Sequence, residues 1–299
     1  MKHPSSVVAT FHRRVGQRSP YPLATPSWVM PGTYAENLDF LADKTDIAAV
    51  ELLFFIYDET VATELKANWE RILHYRERFL YTAHLPERLE DHHEKLIEQL
   101  TPLVEHFVVH PPAGEKEQET LAQRLLTWEE RYTSPRGYRF IIENTQPGRL
   151  EGMVEKLPRW GLCLDTGHLQ LAGEDLETFL STYGNQIQEI HLHRALPPGL
   201  VPPDRLADHH PLHEGDPWFT PLLHFLFSRM DLLPQNSAQN RGGSSLIENG
   251  AGGYPSFFHA GERPLINFEV FSWSEVAQSL GVWKKWCTDF CAKEHIHEG

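Results

Sequence analysis

The sequence predicts a single (β/α)8 TIM barrel of the α/β class, and three observations carry that expectation. Short apolar runs alternate with longer stretches of helical period, the runs number eight, and six in succession end in a metal-ligating residue type. A strand inside a parallel barrel is buried on both faces, so it reads as a nearly continuous apolar run rather than an alternating one. The first is expected near Ser27-Trp28-Val29-Met30, and Val50-Glu51-Leu52-Leu53-Phe54-Phe55 is the second. Phe79-Leu80-Tyr81-Thr82-Ala83 closes on His84, Phe107-Val108-Val109 on His110, and Tyr138-Arg139-Phe140-Ile141-Ile142 on Glu143. Gly161-Leu162-Cys163-Leu164 closes on Asp165, Ile190 opens a short run carrying His191 and His193, and Leu265-Ile266-Asn267-Phe268 closes on Glu269.

Between these runs, Thr60 to Phe79, His92 to Glu105, Gly148 to Leu157, Asp175 to Tyr183 and Pro217 to Met230 place apolar residues at helical spacing. At 299 residues the chain fits one barrel domain over 1–299, with an N-terminal extension 1–20. The spacing lengthens once, between the seventh and eighth strands, where a Gly-, Ser- and Asn-rich stretch predicts a flexible loop over 235–263. That loop has too few apolar residues to build a second core.

Composition narrows the function. Nothing from Met1 to Arg14 has the apolar segment of a signal peptide, and no run reaches the roughly 18 apolar residues of a membrane span. The expectation is a cytoplasmic protein with no membrane partner. A formal net charge of −14 argues against a nucleic-acid partner, because neutralising phosphates requires a basic face. Three cysteines make no disulfide framework, and Cys287 with Cys291 on a C-terminal helix reads as a pair of half-buried thiols. Eighteen histidines are the compositional excess. His92-His93 reads as helix surface, and His295 and His297 as tail.

The strand-end residues carry the chemistry. In a parallel barrel the C-terminal strand ends converge on one mouth, so His84, His110, Glu143, Asp165, His191 and Glu269 are expected in a common cavity. Carboxylates packed so closely repel one another unless divalent cations neutralise them. Mixed imidazole and carboxylate ligands suit zinc first, then manganese or iron. His168, three residues after Asp165, and the Asp208-His209-His210 stretch add a further candidate group.

These motifs resemble a known family. His110-Pro111, Glu143-Asn144-Thr145, Asp165-Thr166-Gly167-His168, Ile190-His191-Leu192-His193 and His209-His210-Pro211-Leu212-His213-Glu214-Gly215 look like AP endonuclease family 2 signatures, those of the xylose isomerase-like barrels that include endonuclease IV. The resemblance implies two or three divalent ions per chain. His84 and His110 would hold one with Glu143 bridging; Asp165, His191 and Glu269 a second; His168, Asp208 and His210 a third. The family's Asp-x-His-His loop aligns in two registers here, one placing Ala207 at the Asp position and the other restoring Asp208-x-His210.

Two reactions follow from that likeness. The first is hydrolysis of a phosphodiester by metal-activated hydroxide, with Glu143 and Glu269 as the catalytic carboxylates. The second is sugar or sugar-phosphate isomerisation or epimerisation at one ion. The paired His84 and His110 favour hydrolysis, because extra imidazoles are useful only if further cations are held. Trp28-Val29-Met30-Pro31-Gly32-Thr33-Tyr34-Ala35-Glu36-Asn37, with Thr82-Ala83-His84-Leu85-Pro86 and Val109-His110-Pro111-Pro112, resembles the cobamide-remodelling phosphodiesterases, which implies a small or cofactor-sized substrate such as the nucleotide loop of a B12-type cofactor. Trp28, Tyr34 and His193 are the expected substrate contacts.

Overall fold

A computed structural model describes residues 19–132, 139–158, 160–197, 199–228 and 263–294 of the chain. The expected loop 235–262 and residues 1–18 of the N-terminal extension lie outside the described residues, as do His295 and His297.

Eight parallel strands close in sequence order, the eighth pairing with the first. They are β1 Leu23–Pro26, β2 Ala49–Leu53, β3 Leu80–His84, β4 Phe107–Val109, β5 Phe140–Glu143, β6 Gly161–Asp165, β7 Ile187–His191 and β8 Leu265–Asn267. The helices packed around them are α1 Tyr34–Leu41, α2 Glu59–His74, α3 Glu94–Leu100, α4 Glu115–Arg131, α5 Arg149–Lys156, α6 Thr166–Ala172, α7 Leu176–Tyr183, α8 Thr220–Ser228 and α9 Trp273–Glu294. The chain is therefore a (β/α)8 barrel, as the alternating pattern predicts. Its principal core lies between barrel and helices, where Leu38, Leu52, Phe107, Phe140, Phe268 and Trp283 are fully buried.

Local chemistry explains the starts and stops. Thr33 and Glu36 form a reciprocal capping box at α1, satisfying backbone N–H groups the helix leaves open. Asp58 caps α2 and Asp175 caps α7 through the side chain alone, accepting the N–H of Val61 and of Thr178.

Four local expectations are corrected. The first strand is Leu23–Pro26, not Ser27 to Met30: Ser27 N–H donates to the Glu51 carbonyl at 2.7 Å, its Oγ accepts the Leu53 N–H at 3.1 Å, and Trp28 beyond it is 58% exposed. β7 begins at Ile187 rather than Ile190. The helix expected from Thr60 to Phe79 ends at His74 and continues as a 3-10 turn over Tyr75–Glu77. His93 is buried rather than on a helix surface, its Nδ1 accepting the Glu90 N–H at 3.0 Å. Cys163 is buried inside the barrel and Cys287 is half-buried, as thiols.

The sequence reading overlooked α6, a short helix that positions the site. Asp165 Oδ1 accepts the His168 N–H at 2.6 Å at its start, and Gly173, at φ 68°, ends it in the left-handed conformation. Gly167 sits in its first turn because a Cβ there would lie 2.1 Å from Cε1 and 2.4 Å from Nδ1 of His193. Gly167→Ala is therefore expected to displace the His193 ring and to destabilise the protein by about 1–3 kcal/mol. Denaturant unfolding checks this; unchanged stability would show that α6 and β7 are not in that close contact.

Candidate metal centre

The strand order brings the expected residues together. Glu143 ends β5, Asp165 ends β6 and His191 ends β7, with Asp165 and His191 directly paired in register. His84 ends β3, while His110 and Glu269 lie just beyond β4 and β8. One ligand atom each from Glu143, Asp165, His191 and Glu269 can be chosen so that all lie within 4.8 Å of one another, and all four residues are buried. His191 Nδ1 is 3.1 Å from both Glu143 Oε1 and Glu269 Oε2, and 3.8 Å from Asp165 Oδ2.

A second group surrounds the other oxygen of Glu143. His84 Nε2 lies 3.0 Å and His110 Nε2 2.7 Å from Glu143 Oε2. The His110 contact is that close without hydrogen-bond alignment, so this buried nitrogen has no partner that satisfies it. Such an approach suits two atoms that share a cation.

Backbone carbonyls set the histidine tautomers. The ring Nδ1 of His84 meets the carbonyl of Leu85 at 3.0 Å, that of His168 the carbonyl of Asn144 at 3.1 Å, and that of His209 the carbonyl of Glu269 at 3.0 Å. A carbonyl only accepts, so each Nδ1 donates its N–H and each Nε2 is left to offer a lone pair. Those lone pairs face carboxylates: His84 toward Glu143, and His168 and His209 toward Asp208 at 3.6 and 3.7 Å. A lone pair facing an anion is repulsive unless a proton or a metal ion lies between them. This is the arrangement of imidazole ligands oriented from behind by carbonyls, and it is why the residues present fit divalent cations.

The charges agree with the geometry. Burial opposes ionisation of Glu143, but His110 and His191 outweigh it and hold its carboxyl well below the usual carboxylate range. Glu269 behaves alike, burial being outweighed chiefly by His191 and then His209. For His84, burial opposes the charge and Glu143 overcomes it, pushing the ring up to about 9. His168 is likewise disfavoured by burial yet pushed up to about 9, chiefly by Asp165 and Glu143.

Three expected roles change. His209, not His210, joins His168 and Asp208 in a group whose ligand atoms lie within 4.8 Å of one another. The chain turns through a positive φ of 56° at His209, which sends its ring inward. His210 is drawn instead into a backbone bridge with Arg194, and its Nε2 donates to the Leu206 carbonyl at 2.9 Å. Tyr34 does not line the mouth: it is buried against Phe54 at the start of α1, its hydroxyl donating to the Leu53 carbonyl at 2.8 Å. His193 is fully buried and cannot meet a substrate. Its Nδ1 accepts the His209 N–H at 2.9 Å, so its Nε2 carries the proton that it donates to Asp165 Oδ2, also at 2.9 Å. Trp28 is exposed.

Asn144 is a positioning residue that the Glu-Asn-Thr motif did not assign. Its side chain accepts the Asp165 N–H at 2.7 Å and donates to the Asp165 carbonyl at 2.8 Å, stitching the end of β5 to that of β6.

Comparisons with known proteins agree with the architecture. A family model described as xylose isomerase-like TIM barrel matches residues 70–231. Among solved structures, the probable 3-DHS dehydratase AsbF, involved in petrobactin synthesis, from Bacillus anthracis superposes with a TM-score of 0.51 at 11% identity, over 88% of this chain and 97% of that one. A sugar phosphate isomerase/epimerase from Parabacteroides distasonis gives a TM-score of 0.48 at 8% identity, over 91% of this chain and 98% of that one. No curated protein matches by sequence. With the family match spanning more than half of a chain that folds as a closed eight-stranded barrel, this protein belongs to the xylose isomerase-like TIM barrel family.

Proposed function

We propose that the protein is a metal-dependent phosphodiesterase acting on a small or cofactor-sized substrate. The observation that carries this reading is the surplus of imidazoles around the four-residue group. His84 and His110 converge on one Glu143 oxygen, and His168, His209 and Asp208 form a further group. Holding one ion requires neither. When bound, divalent ions, zinc by ligand type, supply neutralisation of phosphate charge and ease the ionisation of water. The protein's own residues prepare for them: Asn144 and His193 fix Asp165, and the carbonyls of Leu85, Asn144 and Glu269 aim the histidine lone pairs.

The rim adds a substrate preference. Phe55, 37% exposed, sits edge-on to His84 with ring centres 4.5 Å apart, and Phe271 lies 4.8 Å from the His209 ring. With exposed Trp28 and Ile56, these side chains offer an apolar surface beside a polar centre. That combination suits a substrate with a phosphoryl group and a broad apolar or planar body. The nucleotide loop of a cobamide meets the description, in line with the resemblance of the Trp28 segment.

A second reading has its own support. Glu143, Asp165, His191 and Glu269 already form a complete four-ligand set for one ion, sufficient to polarise a hydroxy-carbonyl substrate for isomerisation or epimerisation. The family's description and the dehydratase superposed above point toward such chemistry. Metal content separates the two: elemental analysis should return two or three ions per chain for the phosphodiesterase and one for the isomerase. Assays against adenosylcobalamin, bis(p-nitrophenyl) phosphate and a panel of ketose phosphates then name the class. Hydrolysis of neither phosphodiester, with turnover of a ketose phosphate, replaces the first reading by the second.

Glu143→Gln should abolish turnover and lower bound metal by more than the roughly 10- to 100-fold that losing a supporting hydrogen bond costs, while circular dichroism stays native. Full turnover in that variant overturns both readings. The pH dependence has a defined sign. Protons on His84 and His168, with values of about 9, compete with cations in the metal-free protein. Chelator-competition titration should therefore show affinity rising from pH 7 to 9 and protons released on binding. For stability the sign is opposite. Both values are raised on folding, so their stabilisation is present below the unfolded histidine range and lost as pH rises through about 9. The metal-free protein should melt lower at pH 9.5 than at pH 6.

A further inference from the structure

Below the mouth, Val108, Ile141 and Cys163 form a small apolar cluster, with Cys163 in register beside Glu189. Glu189 of β7 and Glu51 of β2 are two carboxylates that no motif predicted, both fully buried. Burying two carboxylates costs several kcal/mol each even after relaxation, and apolar residues of similar size often serve stability better. Their retention calls for a reason.

The geometry supplies one. Each carboxylate has one oxygen tied off: Glu51 Oε2 accepts Asn267 Nδ2–H at 2.7 Å, and Glu189 Oε2 accepts His106 Nε2–H at 2.6 Å. The remaining oxygen of each turns to His191. Glu51 Oε1 lies 3.3 Å and Glu189 Oε1 3.7 Å from His191 Nε2. These three atoms are buried, and none has an aligned hydrogen-bond partner. The opposite nitrogen of the same ring, Nδ1, faces the mouth, aligned with Glu143 Oε1 at 3.1 Å and equally close to Glu269 Oε2. A cation that takes the Nδ1 lone pair leaves the ring proton on Nε2, the nitrogen that Glu51 Oε1 and Glu189 Oε1 face.

We infer that Glu51 and Glu189 are positioning residues that hold the Nε2 proton of His191 between them and so fix the tautomer and aim of its Nδ1 toward the metal centre. His84, His168 and His209 are backed by backbone carbonyls, whereas His191 is backed by two carboxyl groups. A ring that donates to a carboxylate is a more basic ligand than one that donates to a carbonyl. His191 is thus set to be the strongest imidazole donor of the mouth. The inference rests on the metal-dependent reading above.

The test uses the full chain loaded with zinc. Imidazole 15N–1H correlation spectra of the wild type should show His191 as the Nε2–H tautomer with Nδ1 shifted by the metal, a readout that needs no variant. Glu51→Gln and Glu189→Gln should each weaken zinc binding by roughly 10- to 100-fold in chelator competition, and the double variant more. The metal-free variants should melt no lower than the metal-free wild type, because a buried amide replaces a buried charge. A merely structural role predicts the reverse: lower melting without zinc and unchanged affinity. That result overturns the inference, as does an Nδ1–H tautomer in the loaded wild type. Loss of one whole ion from the count, with the others bound as before, would assign these carboxylates as ligands of an interior cation and overturn it too. A wild type that binds no divalent metal defeats the metal reading itself. Normal metal binding with wild-type affinity in all variants defeats only the inference about Glu51 and Glu189.

Discussion

Repulsion among Glu143, Asp165 and Glu269 is the constraint around which the mouth of this barrel is arranged. Three carboxylates from β5, β6 and the end of β8 meet at the mouth, all three buried. At low dielectric, like charges a few ångströms apart cannot all remain ionised without compensation. The fold gathers six histidines against them: His84, His110, His168, His191, His193 and His209. Without metal, His84 and His168, both pushed up to about 9, supply part of that compensation as protonated rings; with metal they can supply it as ligands. One set of side chains thus serves two charge states. The exchange of protons for cations links the protein's stability to its metal content.

The division of labour among the histidines follows from what stands behind each ring. His84, His168 and His209 donate from Nδ1 to carbonyls, which leaves Nε2 for the mouth. His193 runs the other way, fixed by the His209 N–H and spending its Nε2 proton on Asp165. It is a support for a ligand, and the absence of a side chain at Gly167 gives it room. Asn144 holds the same aspartate by its backbone. Asp165 is consequently the most constrained residue of the site, anchored through its main chain, through Oδ1 to α6 and through Oδ2 to His193.

Much of this was legible in the sequence, and what was not has physical causes. Parallel strands in a closed barrel share a direction, so a ligand-type residue at the end of each apolar run maps onto the mouth without knowledge of register. His84, His110, Glu143, Asp165, His191 and Glu269 follow that rule. The rule stops where the chain leaves the strands. Choosing between His209 and His210 depended on one dihedral, the positive φ of His209, which spacing does not encode. Tyr34 looked like a mouth residue because it follows the first strand closely, but the capping box at Thr33 starts a helix there and buries it. His193 shares the Ile-His-Leu-His motif with His191, and alternation places both on the inner face. The Asp165 carboxylate and α6 then cover His193. Glu51 is the one charge in the run Val50 to Phe55, which reads as a nearly continuous apolar strand. A carboxylate inside an otherwise apolar barrel strand was the available signal.

The choice between one ion and several turns on what a buried imidazole costs. A neutral histidine sealed in a protein interior must satisfy both ring nitrogens, and an unsatisfied one forfeits about 1–3 kcal/mol. His110 Nε2 is left in that position, 2.7 Å from Glu143 Oε2 yet without hydrogen-bond alignment. With one ion at the four-residue group, this nitrogen would interact with the Glu143 carboxylate alone, and the Nε2 atoms of His168 and His209 would face only Asp208. A mouth serving a single-ion isomerase could replace those three histidines by residues with fewer polar atoms to satisfy. The proposal of additional cations rests on these three rings, two of which, His168 and His209, have their orientation set by backbone carbonyls.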